Sequence, residues 1–286
     1  MTTISIEVAA KINPFLQILA ERPDGYHELS LVFQSISIWD SLELTWSDDI
    51  TLICDHPELP TDRTNLALRA AYLLHSKFPD RGGVKIQLTK RIPIGAGLGG
   101  GSADCAAVLV GLNHLWELGL SVSELQNLAS RLGSDIPFCI TGGTAWGRGR
   151  GEMLTPLPTP DWWVLVCKHR NLSISTAWAY QTYRAGRFVL EARAKSMENW
   201  QEHLENDLER AVLPHYPQIA RLKETLIELG ARALMTGSGA AVFAIIPTIE
   251  WGQQLAAQIT DRFPDVDTWL SQTIAKGIKL AKIPVK

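Results

Sequence analysis

Between Pro93 and Ala107 the chain reads PIGAGLGGGSADCAA, and this stretch limits its folding more tightly than any other. Gly95, Gly97, Gly99, Gly100 and Gly101 fill five of seven consecutive positions. Glycine loses more backbone freedom on ordering than any other residue, so such a run belongs where the chain takes left-handed turns or lets another group approach its backbone. Upstream, VKIQLTKRIPI alternates like a strand, and from Ser102 onward ADCAAVLVGLNHLWEL has the Ala and Leu content and spacing of a helix. The run is predicted to be a strand-to-helix loop, with Ser102 opening the helix. The free N–H groups and positive dipole end of that helix would face the glycines, which suits a polyphosphate. A ligand-free helix entry is the alternative, and the entropic cost of five glycines weighs against it.

The same letters contain GxGxxG at Gly95, Gly97 and Gly100, so a dinucleotide site has to be considered. A Rossmann unit needs a strand soon after the helix and an acid about 20 residues beyond the glycines. Here the chain runs on from Trp116 into a second helical segment, SVSELQNLASRL. The nucleotide loop ending in GK[ST] is also missing, because Ser102 follows Gly101 with no lysine between them.

With 286 residues the chain is long enough for a sizeable core and favours two domains over one. A net charge of −3 gives no general attraction to nucleic acid or acidic membranes, so an anionic ligand must be held by local groups. Neither a nucleic acid nor a membrane is expected as a partner. Cys54, Cys105, Cys139 and Cys167 lack CxxC spacing, which argues against a structural zinc and a disulfide framework. No apolar stretch is long enough to span a bilayer, and MTTISIEVAAKINPF has neither a secretory nor a transit character. A cytoplasmic protein is expected.

Along the chain, residues 3–9 alternate as a strand that is expected to run out near Lys11 and Asn13. Two further alternating runs flank the loop RPDGYHEL. Pro23, Asp24 and Gly25 are turn formers, but Tyr26 and His27 are not required by a turn. They suit stacking on and hydrogen bonding to a flat heterocycle, or else form an ordinary strand entry with a half-buried tyrosine. Asn65 opens an amphipathic helix, NLALRAAYLLHSKF. Asp135, before Pro137, reads either as a helix cap or as a carboxylate presented beside the glycine pair Gly142 and Gly143. Pro156, Pro158 and Pro160 form the best linker, which places a boundary near 158 between domains 1–158 and 159–286. The second half alternates strands and helices as an α+β sandwich. In it Ser175 caps a helix carrying Tyr180, ENDLERAVLPHYPQIARLKETLIEL forms two helical pieces, and the chain closes on a short strand near TIAKGI.

Three of these segments resemble one superfamily, the small-molecule kinases of galactose, homoserine, mevalonate and phosphomevalonate (GHMP kinases). AAKINPFL is similar to their first motif, PIGAGLGGGSADCAA to their ATP loop and LMTGSGAAVFAI to their C-terminal glycine motif. DGYHEL, LGSDIPF, GRGE, ISTAWAY, ENDLE and AKGI further resemble the branch that phosphorylates a cytidine-diphosphate-linked methylerythritol in the non-mevalonate isoprenoid pathway. The likeness covers nearly the whole chain. It departs at Ala9 and Pro14, where the family usually has proline and leucine, and at Cys105, usually alanine.

The resemblance implies an α+β protein of two domains, the first like a ribosomal-protein domain and the second ferredoxin-like, with the site in the cleft between them. It implies ATP as co-substrate with Mg²⁺. The ATP phosphates would lie against Pro93, Ile94, Gly95, Ala96, Gly97, Leu98, Gly99, Gly100, Gly101, Ser102 and Ala103, and the adenine near Asn65. Asp135 would be the general base on the acceptor hydroxyl, with Lys11 its charged neighbour. Tyr26 and Tyr180 would sandwich the cytosine and His27 would bond its edge. Asn13 would support the sugar-alcohol or phosphate end, and Gly237, Ser238 and Gly239 would line the cleft from the second domain. A homoserine or mevalonate type of kinase is the alternative, although neither substrate has a base for the DGYH loop to stack on. A catalytically inactive nucleotide-binding relative is the other.

Overall fold

The computed structural model describes residues 2–186 and 199–284. In the first half the elements are β1 (Thr2–Glu21), β2 (His27–Ser47), β3 (Ile50–Cys54), α1 (Leu66–Lys77), β4 (Gly83–Thr89), α2 (Gly100–Leu115), α3 (Val122–Ala129), α4 (Ile136–Thr141), β5 (Thr144–Gly149) and β6 (Met153–Leu157). Strands β1 and β2 pair antiparallel over most of their length and carry an eight-stranded sheet, on one face of which α2 lies. The period of two puts Ile4, Ile6, Val8 and Ile12 on that covered face, all fully buried. Helix α2 is buried almost all round, as its Ala- and Leu-rich sequence requires.

The first strand does not run out at Lys11. It continues to Glu21, with register shifts at Ala9/Ala10, Ile12/Phe15 and Ile18/Ala20. Pro14 has no N–H to give to a ladder, and it sits with Asn13 in the second of these bulges, outside the paired register. The bulge frees the Asn13 N–H, which donates to Thr236 Oγ1 of the other half at 3.1 Å.

The second half comprises β7 (Trp163–His169), α5 (Thr176–Ala185), β8 (Glu205–Asn206), α6 (Glu209–Val212), α7 (Pro217–Glu228), β9 (Arg232–Met235), β10 (Val242–Ile246), α8 (Ile249–Arg262), β11 (Val266–Gln272) and β12 (Ile278–Pro284). Its four-stranded sheet has the order β11-β7-β10-β9, all antiparallel, with α7 and α8 packed on it. This is the 4-1-3-2 order of a ferredoxin-like sandwich, and the expected α+β two-lobe architecture is the one observed.

The short closing strand expected near TIAKGI is β12, which begins at Ile278 after the connection 273–277, returns to the first sheet and pairs with β1 from Thr2↔Pro284 to Val8↔Ile278. Two local expectations are corrected. Thr155, Pro156 and Leu157 are not linker but part of β6, which among the described residues pairs only with β5. A proline is tolerated there because the outer edge of β6 has no ladder to supply. Finally, ENDLE begins as the two-residue strand β8 beside Phe15 and Leu16 rather than as helix. The two chain crossings at 158–162 and 273–277 are fastened side by side, since Thr273 N–H donates to Trp162 O and Trp162 N–H to Thr273 Oγ1, each at 3.0 Å. Among the described residues no helix is long and apolar enough to cross a membrane.

Candidate active site

A cavity of about 840 Å³ opens between the two halves. The glycine run forms one wall. Gly95, Gly97 and Gly99 have φ of 61°, 75° and 72°, the left-handed region a glycine run was expected to supply. Helix α2 begins at Gly100, two residues before Ser102, with Gly99 at the N-cap and no side chain capping it. The first-turn N–H groups are therefore left for a ligand. The loop is backed by the second half, because Ala240 N–H donates to Gly95 O at 3.2 Å and Ala241 N–H to Ala96 O at 3.1 Å. Gly97 sits so close to that backing that a Cβ on it would lie 2.2 Å from Thr236 O.

Pro93 to Ser102, Asn65, Lys11, Asn13, Asp135, Tyr26, His27, Tyr180, Gly237 and Ser238 all line this one cavity. Of the expected site residues, Ala103 and Gly239 stand behind the wall, Ala103 fully buried in α2 and Gly239 closing a turn onto Thr236 O at 2.9 Å. Asn65 caps α1 by accepting from Ala67 N–H at 2.9 Å, while its Nδ2 donates to Pro60 O at 2.8 Å.

Lys11 ties the parts together. It is held in the first long strand and buried, and its Nζ donates to Asn13 Oδ1 at 2.7 Å and to Gly97 O at 2.9 Å. The same nitrogen lies 3.4 Å from Asp135 Oδ2. Asn13 is fixed in turn by donating from Nδ2 to Val32 O at 3.1 Å. Asp135 occupies the N-cap position of α4, with Pro137 in the first turn, but its side chain makes no capping bond. The carboxylate is instead half-exposed in the cavity beside Lys11. Of the two readings of Asp135, the backbone position fits the cap and the side chain does not serve it.

At the other end, the loop between β1 and β2 carries Tyr26 and His27. His27 is 5 % exposed, and its ring stacks on Tyr180 of α5 at 5.3 Å between centroids, 29° between planes. Burial, then the nearby Arg184 charge, lowers the imidazole below its ordinary value. Its Nε2 is buried without a hydrogen-bond partner among the described residues. A buried polar atom facing a cavity without a partner is a place for a ligand atom. Tyr26 stands at the rim, half-exposed, with the Arg150 guanidinium 4.9 Å from its ring centroid.

Sequence reasoning missed a buried charge cluster under the glycine loop. Lys90 Nζ pairs with Asp40 and, at 2.8 Å, with Asp104 Oδ2, all three side chains being 5 % exposed or less. Asp40 Oδ1 also accepts from the N–H groups of Arg91 and Ile92, at 2.6 and 2.8 Å, and so pins the corner where β4 turns into the loop. Burial, with the Asp40 charge adding and Lys90 opposing, pushes the Asp104 carboxyl up to about 8. One signal was available: Asp40 falls in the column Ile36, Ile38, Leu42, Leu44 that faces the core, where a lone acid needs a cation. Arg150, Gln181 and Arg184 also line the cavity and were not singled out.

Two family models match the chain, GHMP kinases N terminal domain over residues 65–143 and GHMP kinases C terminal over 188–266. A 4-diphosphocytidyl-2-C-methyl-D-erythritol kinase of a Synechococcus strain is 46% identical over 307 residues, covering 99% of this chain and 98% of that protein. The enzyme of the same name from Synechocystis is 44% identical over 312 residues, covering 98% and 99%. Among solved structures, a 4-(cytidine 5'-diphospho)-2C-methyl-D-erythritol kinase superposes with a TM-score of 0.78 at 33% identity, over 94% of this chain and 98% of that one. A homoserine kinase from Cytophaga hutchinsonii, at a TM-score of 0.71 and 19% identity over 98% and 97%, shares the fold. On full-length identity of this order, with both domain models in the expected order, the chain belongs to the 4-diphosphocytidyl-2-C-methyl-D-erythritol kinases of the GHMP kinase family.

Proposed function

We propose that the chain transfers the γ-phosphoryl group of ATP to the 2-hydroxyl of 4-diphosphocytidyl-2-C-methyl-D-erythritol. The observation that carries this reading is Lys11 Nζ, which reaches the glycine-loop carbonyl of Gly97 at 2.9 Å and the Asp135 carboxylate at 3.4 Å. One ammonium group thus adjoins both the donor wall and, among the described residues, the only carboxylate in the cavity outside the buried cluster.

Phosphoryl transfer asks the protein mainly for alignment and for neutralisation of spread charge. The N–H groups of the loop and the first turn of α2 hold the triphosphate, with Asn65 toward the adenine end. Asp135 takes the proton of the acceptor hydroxyl as the new P–O bond forms and the bond to the β-phosphate oxygen breaks, releasing ADP. Lys11 offsets negative charge on the oxygens in transit, and Asn13 keeps Lys11 in place. Tyr26 and Tyr180 stack on the cytosine, and the unpartnered His27 Nε2 meets a polar atom of its edge. Gly237 and Ser238 close the cleft from the second domain, whose boundary we set near 158.

A divalent cation such as Mg²⁺ would accompany the nucleotide phosphates. Among the described residues no three His, Cys, Asp or Glu side chains gather around one point, which suits an ion that keeps phosphate oxygens and water as ligands. Ser102 is the cavity side chain whose oxygen would hold it, and when bound it would supply positive charge that offsets the phosphate charge. The ligands are small and highly charged, and we place the reaction in the cytoplasm.

The test is a coupled ADP-release assay with ATP and the cytidine-linked substrate, with homoserine and mevalonate as competing acceptors. Turnover with the cytidine-linked alcohol alone is expected. Equal or faster turnover of either competitor would transfer the chain to another branch, and no turnover of any acceptor would leave an inactive nucleotide binder.

A further inference from the structure

The ENDLE segment has no part in the chemistry described so far, yet Asn206 within it is buried, 4 % exposed, and hydrogen-bonded through every polar atom of its side chain. Nδ2 donates to Met235 O at 2.7 Å and to Gly237 O at 2.8 Å, and Oδ1 accepts from Leu208 N–H at 3.0 Å. Gly237 and Ser238 are the central residues of a turn closed by Gly239 N–H on Thr236 O, and Gly237 has a φ of 54° that favours glycine. The closing bond leaves the peptide between Gly237 and Ser238 free to rock. Asn206 removes that freedom by gripping its carbonyl.

In a planar trans peptide the C=O and the following N–H point in opposite directions. Asn206 stands behind the turn, off the cavity wall, whereas Gly237 and Ser238 are on it. With the Gly237 carbonyl held toward Asn206, the Ser238 N–H is turned the other way, and it meets no acceptor among the described residues. The Ser238 hydroxyl is already engaged with Thr176 Oγ1 at 3.0 Å. The turn also sits at the reacting end, because a Cβ on Gly237 would lie 3.3 Å from each of Lys11 Nζ, Asn13 Oδ1 and Gly97 O.

We propose that Asn206 is a positioning residue that aims the Ser238 N–H at the phosphoryl oxygens as they cross the cleft beside Lys11. The proposal rests on the phosphotransfer reading above. Donors placed where charge develops lower the barrier without tightening ground-state binding. Asn206→Ala and Asn206→Ser are therefore expected to lower kcat by roughly tenfold to a hundredfold while KM for both substrates stays within about threefold. Asn206→Ser keeps an oxygen for the Leu208 N–H and is too short to reach Gly237 O, so it separates the two duties if the alanine variant fails to fold.

A second readout does not need turnover. In protein labelled with ¹⁵N-serine, the Ser238 amide resonance is expected to move on adding the β,γ-imido analogue of ATP, and to move less in both variants. An unchanged kcat, a loss carried by KM, or a Ser238 shift equal in wild type and variants overturns the proposal. If the wild type turns over no acceptor, the functional reading fails alone. The amide titration then decides Asn206 by itself, and an insensitive wild-type Ser238 amide rejects it.

Discussion

Replacing Gly97 by alanine tests whether the glycine wall of the cavity is shaped by its contact with the second domain. Gly97 has a φ of 75°, and an added Cβ would lie 2.2 Å from Thr236 O and 3.1 Å from both N and O of Gly239. Holding an L-residue in the left-handed region costs about 1–2 kcal/mol, and overpacking against rigid backbone costs a further 1–3 kcal/mol or so. The loop relieves the clash by backing off roughly 1 Å or more, until the new carbon reaches an ordinary contact distance. A shift of about that size at a phosphoryl-transfer site costs on the order of a hundredfold in rate. Gly97→Ala should thus lose about 2–5 kcal/mol of stability in urea unfolding and fall roughly a hundredfold or more in kcat/KM for ATP. The stability control is Gly101→Ala, whose Cβ would meet only Leu66 at 3.6 Å in a helical turn. There alanine should leave stability unchanged or raise it by up to about 1 kcal/mol. A Gly97→Ala enzyme within threefold of wild type, or equal destabilisation by the two substitutions, would refute the reasoning.

Asp135→Asn and Lys11→Ala should each lower kcat by roughly a hundredfold to ten-thousandfold and change ADP affinity, read by calorimetry, far less; near wild-type turnover removes the residue from the mechanism. The cytidine substrate should be preferred strongly over its uridine analogue, since His27 Nε2 needs a matching partner, and equal kcat/KM values for the two would contradict that role. Because burial, then the Arg184 charge, holds His27 below the ordinary 6.5, the neutral ring is the major form at that pH and above. Affinity for cytidine diphosphate should accordingly weaken with a midpoint below pH 6.5, and a titration centred above 6.5 would count against it. In the cluster under the loop, Lys90→Met leaves two buried carboxylates facing each other and should cost about 3–5 kcal/mol in urea unfolding. Asp104→Asn leaves a balanced Lys90–Asp40 pair and should cost less than about 1.5 kcal/mol, and the reverse order would disprove the charge assignment.

Much of this site was legible because its main parts are local in sequence. The glycine run, with a strand before it and a helix after it, announces its backbone geometry whatever surrounds it. Asn65 and Ser175 declare themselves as caps of the helices they open. What could not be read were facts that depend on pairing across the chain. Nothing local shows that β1 continues past Pro14, since only the partner strand makes a bulge of that proline. Asp40 and Asp104 lie 50 and 14 residues from Lys90, and although the core-facing column marks Asp40 as needing a cation, only the fold shows that Lys90 is that cation and that Asp104 shares it. The position of ENDLE was noted, but the work of Asn206 appears only when Gly237, 31 residues on, is laid against it.

The pairing of β12 with β1 has a bearing on how the molecule is made. The strand that bears Lys11 shares one long edge with residues 278–284, and 273–277 is wedged between that strand and the end of the Asp135 helix, Gly277 accepting from Ala9 N–H at 2.8 Å and donating to Thr141 O at 3.2 Å. On the ribosome the earliest-made domain must wait, one flank bare, until the most distal strand emerges, and a product cut short after β11 would present an open hydrogen-bonding edge to its neighbours.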